Sequence, residues 1–178
     1  MKKRYRILSS NGIDEKLYVN INGHNQYVFI RGKDVNNPII LNLHGGPANP
    51  DAFCTYEFAK EIIDEFTYVS WDQRGCGRTY YKNKCTDPQN KSADFEQAIK
   101  DVDELIKYLC MRFNKDKVIL MGHSYGSLLG ASYVSRHPEM KDLSIRTMKC
   151  DCGLTISRDQ NAAINILQEG LRLLAEAA

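Results

Sequence analysis

"VILMGHSYGS", residues 118–127, runs an apolar, β-branched segment straight into Gly-His-Ser-Tyr-Gly. A strand that ends on G-x-S-x-G turns sharply into a helix and holds its serine clear of both, because the flanking glycines let the two backbones crowd together. The next stretch, "SYGSLLGASYVSRHPE" (124–139), reads as that helix, stopped near Pro138, whose ring cannot continue it. Ser124 is therefore a candidate nucleophile on a strand-to-helix turn.

Working outward, residues 17–31, "LYVNINGHNQYVFIR", place two apolar runs around "NGHN", a hairpin signal because Asn and Gly tolerate positive φ. "PIILNLH" (38–44) and "FTYVSWD" (66–72) carry the β-branched and aromatic bias of strands, and "TYEFAKEIID" (55–64) between them is helix-like. In residues 92–113, Phe95, Ile99, Val102, Leu105, Ile106 and Leu109 fall on one helical stripe, with Asp94 and Gln97 spaced as a capping box. "KVILMG" (117–122) reads as a buried strand. Strands alternating with helices predict a doubly wound α/β sheet.

Acyl transfer also needs two backbone N–H groups where negative charge grows on the attacked carbonyl oxygen. Tyr125, after the serine, offers one, and the "HGGP" loop (His44 to Pro47) offers the other through Gly45 or Gly46. Removing one such donor typically costs about 3–4 kcal/mol of transition-state stabilisation.

"LNLHGGP", "SWDQRGCGRT" (70–79) and "MGHSYGS" together resemble the prolyl iminopeptidase branch of the α/β-hydrolase fold, over roughly residues 16–140. The resemblance implies peptidase or esterase chemistry on a small peptide or ester, with Ser124 as nucleophile and no cofactor. Asp72 and Arg74 would be turn and salt-bridge residues of a scaffold loop beside the site. One departure is Ala48, where that branch often has Gly.

A triad in this fold runs Ser, then Asp or Glu, then His. After Ser124 comes His137 alone, thirteen residues on at the far end of the same helix, roughly 20 Å away at 1.5 Å per residue. A general base must come within about 3 Å. His123 points across the turn, His44 precedes the oxyanion loop and His24 sits in the hairpin. Downstream carboxylates (Glu139, Asp142, Asp151, Asp159) have no imidazole to orient. The related enzymes continue past residue 140 with a cap and further strands. The expectation is a truncated hydrolase sheet with an incomplete triad, impaired in catalysis, whose strand 117–122 leaves an apolar edge open to self-association.

Past residue 140 the texture changes, and the expected division is a partial hydrolase domain, 1–140, followed by a tail, 141–178, ending in a helix with Ala163, Leu167, Leu171 and Leu174 on one face. "CG" followed by "RDQNAAINIL" within residues 144–170 resembles the C-terminal end of TnpB-type transposon-encoded nucleases, with Asp159 in place of a metal-binding aspartate and Cys150 and Cys152 as half of a zinc ribbon. A structural zinc needs four ligands and two-metal catalysis several carboxylates, so both sites are incomplete. Free thiols and a helix-capping Asp159 are the plainer roles. The alternatives to an impaired hydrolase are a nucleic-acid-binding transposase fragment and a non-functional chimeric remnant.

The formal net charge is +2, and residues 141–178 carry five Lys/Arg against five Asp/Glu, so no basic stripe of the kind phosphate contacts require is present. No apolar run is long enough to span a bilayer, and "MKKRYRILSSNG" lacks the apolar core of a secretory signal. Six scattered cysteines in such a chain read as free thiols, and the expected location is the cytoplasm.

Overall fold

The computed structural model describes residues 6–137 together with the strand segments 147–149 and 155–157. By contacts the chain divides into two compact units, Met1–Arg136 and His137–Ala178. In the first, β1 (Ile13–Ile21) and β2 (His24–Gly32) form an antiparallel hairpin in register Ile21↔His24. Its turn, Asn22-Gly23, takes positive φ at both residues (47° and 80°), the conformation for which Asn-Gly is suited. Strands β3 (Ile39–Leu43), β4 (Thr67–Asp72) and β5 (Ile119–Gly122) complete a mixed sheet of order β1-β2-β4-β3-β5. β2 runs antiparallel to β4, whereas β3 is parallel to both β4 and β5.

Alternation along β3 assigns the two faces. Ile39, Leu41 and Leu43 pack in the larger core with Val69 and Trp71 of β4, under α3 (Phe95–Phe113) and α4 (Tyr125–Arg136). Ile40 faces the opposite way, onto Ala59, Ile63 and Tyr68. The helical stripe read from sequence is the buried face of α3, with Val102, Leu105 and Leu109 fully covered. Asp94 caps it by accepting from Gln97 N–H at 2.7 Å. The capping box is not reciprocal, however: the Gln97 side chain donates to Asp101 (2.9 Å), a stronger acceptor one turn on.

Three further elements differ from expectation. The helix expected over 55–64 is α1, Thr55–Phe58, followed by successive turns. The loop 72–79 contains the start of α2 (Gly77–Asn83). β5 is not the buried strand that its apolar run suggests; it is the outer strand of the described sheet, where the open edge expected over 117–122 would be, with Ile119 46% and Met121 37% exposed. β6 (Thr147–Lys149) and β7 (Thr155–Ser157) pair antiparallel in a separate two-stranded sheet. Cys150, Cys152, Asp159, the carboxylates 139, 142 and 151, and the expected C-terminal helix lie outside the described residues. Among the described residues no helix is long and apolar enough to cross a membrane.

Candidate active site

The site is assembled where β3 and β5 end side by side. Their parallel register pairs Leu43 with Gly122, so the loops that follow, His44-Gly45-Gly46 and His123-Ser124-Tyr125, leave the sheet together. Three close approaches make this possible. A Cβ on Gly122 would lie 2.6 Å from Gly126 O, and one on Gly126 would lie 1.8 Å from Leu43 O. A Cβ on Gly45 would stand 3.3 Å from His123 Cδ2 and 3.4 Å from Ser124 Cβ, so the Gly45–Gly46 loop lies beside the serine with space for little more than a hydrogen at position 45. The glycines in both motifs thus answer to tertiary crowding.

Ser124 itself takes φ 53°, a left-handed conformation costly for a residue with a side chain. The turn is held by Gly126 N–H to His123 O (2.9 Å), His123 N–H to Leu43 O (3.3 Å) and Ser127 Oγ to Gly122 O (2.9 Å). Ser124 remains exposed. Tyr125 opens α4, so its N–H belongs to the first turn, whose amides have no intrahelical acceptor. Its ring packs edge-on against Phe95 at 5.9 Å, which pins this end of the helix to α3. Gly46 adopts φ 133°, a value that suits glycine alone.

The described residues bring Ser124 and the Gly45–Gly46 loop together, but no partner to the Ser124 hydroxyl. No hydrogen bond among the described residues reaches its Oγ. His44 is fully buried, its Nδ1 2.8 Å from Gly45 O and its Nε2 accepting from Gln73 N–H. His24 is occupied with Ser92 (Nε2 to Oγ 3.4 Å), and burial followed by the nearby Arg74 charge lowers its pKa. His123 borders a groove of about 590 Å³ next to the turn, lined also by Gly45, Asp51, Phe53, Phe58, Tyr68 and Met121. His137 follows the end of α4. Among the described residues no group of His, Cys, Asp and Glu is arranged to hold a metal ion.

The scaffold loop behaves as a clamp. Arg74, 4% exposed, donates to Asp101 through Nε (2.7 Å) and Nη2 (3.0 Å). Asp101 is fully buried on α3 and also accepts from Asn22, Gln26 and Gln97. Asp72 accepts from Arg78 N–H (2.8 Å) at the start of α2, while burial raises its pKa. Sequence reading anticipated Arg74 as an ion-pair residue but missed Asp101. The available signal was a carboxylate at a core-facing position of the α3 stripe, between Ala98 and Val102.

The alpha/beta hydrolase fold family matches residues 38–166. A probable aminopeptidase of Bacillus subtilis, YbaC, is 36% identical over 68% of this chain, and the proline iminopeptidase of Saccharolobus solfataricus 28% over 70%. The chain spans about 37% of the length of each of these relatives. In three dimensions it is similar to a proline iminopeptidase-related protein from Thermus thermophilus (TM-score 0.54, 22% identity, 71% of this chain and 42% of that one). It also resembles an epoxide hydrolase from Vigna radiata (TM-score 0.52, 21% identity, 71% and 35%).

Proposed function

Because this chain belongs to the α/β-hydrolase fold family, we propose that it is the nucleophile-bearing part of a serine hydrolase that attacks N-terminal amide bonds of peptides, or related esters, through Ser124. The observation that carries this is the exposed serine at φ 53° beside a Gly-Gly loop. In this reading Oγ attacks the carbonyl carbon, and the amides of Tyr125 and of Gly45 or Gly46 receive the carbonyl oxygen. The aminopeptidase and proline iminopeptidase relatives support the substrate class. Turnover is weak, since the described residues put no imidazole on the serine. In serine proteases that lose a triad member, the oxyanion hole and binding alone still give about 10³–10⁴-fold over water, and a residual rate of that order is expected here.

The test is labelling with a fluorophosphonate probe. Slow, stoichiometric modification located at Ser124 by peptide mass spectrometry, and abolished in Ser124→Ala, supports the proposal. Modification at another residue, or none after prolonged exposure, refutes it. Labelling as fast as that of an intact serine hydrolase refutes the impairment.

A further inference from the structure

Resting on the hydrolase reading above, we infer that His44 and Gln73 are positioning residues: they lock the Gly45–Gly46 peptide so that its N–H is turned outward as an oxyanion donor. His44 looks from sequence like a spare histidine beside the nucleophile. Its surroundings give it another task. Gln73 N–H donates to Nε2 (3.3 Å), and a backbone amide can only donate, so Nε2 carries the lone pair and Nδ1 the proton. Nδ1–H therefore donates to Gly45 O at 2.8 Å, fixing that carbonyl toward the buried ring.

Peptide geometry does the rest. The cis bond in this loop is Gly46–Pro47, so the Gly45–Gly46 unit is trans, and in a trans peptide C=O and N–H point in opposite directions across one plane. A carbonyl held inward by His44 turns the Gly46 N–H away from the ring. Two glycines in succession offer little resistance to a peptide flip of their own, which is why an external lock is needed. Gln73 secures the lock twice, since its Nε2 also donates to His44 O (3.3 Å). Cys76 closes the cluster, its Sγ 3.1 Å from Gln73 O and 3.4 Å from His44 Nε2. His44 is fully buried, Gln73 5% and Cys76 4% exposed, so water does not compete for these bonds. The loop after β4 is in this way mechanically coupled to the loop after β3.

The test compares His44→Asn, whose side-chain amide can still donate near the Nδ1 position, with His44→Leu, which cannot, and with Gln73→Ala, which removes one bond and leaves the imidazole. Two readouts are taken on folded protein: the second-order rate of fluorophosphonate labelling, and the ¹⁵N–¹H resonance and hydrogen exchange of Gly46. Losing one preorganised oxyanion donor costs about 10²–10³-fold in rate. His44→Leu should slow labelling on that order and shift the Gly46 amide. Gln73→Ala should have a smaller effect in the same direction, and His44→Asn should stay within a few-fold of the parent with its Gly46 amide in place. The inference is overturned if His44→Leu labels at the parent rate, if its Gly46 amide is unmoved, or if His44→Asn is as slow as His44→Leu. Should the parent not label at all, the hydrolase proposal fails by itself, and the Gly46 amide in His44→Leu still decides the lock: unmoved refutes it, shifted supports it.

Discussion

Gly126→Ala and Gly130→Ala are the same chemical change, four residues apart on α4, and the structure predicts a large loss of stability for the first and little change for the second. At position 126 the new methyl would stand 1.8 Å from Leu43 O and 2.6 Å from Leu43 C. Both are backbone atoms of the β3 strand, paired on each side, so no rotamer relieves the clash and helix and sheet must part by more than an ångström. At position 130 the methyl meets Leu43 Cδ1 at 3.2 Å, the far end of a side chain that can turn aside. Intrinsic propensity favours alanine over glycine in a helix by about 1 kcal/mol at both sites. Against it, overpacking costs about 1–3 kcal/mol or more where the environment cannot yield. Lifting α4 also uncovers Leu129 and Tyr133, both buried in the main core, each worth about 1.5–3 kcal/mol of burial. Gly126→Ala should therefore lose about 3 kcal/mol or more, a large part of the roughly 5–15 kcal/mol available to a domain. Gly130→Ala should change stability by less than about 1 kcal/mol. The assay is urea unfolding followed by tryptophan fluorescence, because Trp71 is the single tryptophan and is fully buried in β4. Equal midpoints for the two variants would refute the claim that this turn is set by backbone contact at residue 126.

Asp101→Ala leaves the nearly buried Arg74 charge without its partner, and should cost about 3–5 kcal/mol, read from the same urea transition; Asp101→Asn should cost less, since its carbonyl still accepts from Arg74. Burial pushes the Cys76 thiol up to about 12, so it stays protonated at pH 8. Iodoacetamide should then modify exposed Cys85 in the native protein and reach Cys76 only in denaturant, as read by peptide mass spectrometry; equal native labelling would contradict the buried His44–Gln73–Cys76 cluster. The open edge of β5, with Ile119 and Met121 exposed, should drive self-association across the micromolar range in sedimentation velocity. Met121→Lys should weaken that association, and a parent that stays monomeric throughout would count against an exposed edge.

What the sequence determined by itself is what short-range chemistry encodes. Positive φ at Asn22-Gly23 made the hairpin legible, the spacing of Ile99, Val102, Leu105 and Leu109 made α3 legible, and Gly-x-Ser-x-Gly after an apolar run announced the turn that carries Ser124. Each depends on residues within a few positions of one another. The order of strands, the exposure of β5 and the identity of His44's partners were decided by tertiary structure. His44 and Gln73 are 29 residues apart, and Arg74 and Asp101 are 27 apart, so no periodicity in the chain pairs them. An apolar strand reads alike whether it ends up in the middle of a sheet or at its rim, because hydropathy records what a residue would prefer to touch. Packing alone decides which groups are there to be touched, and so which imidazole supports a loop and whether any approaches the serine.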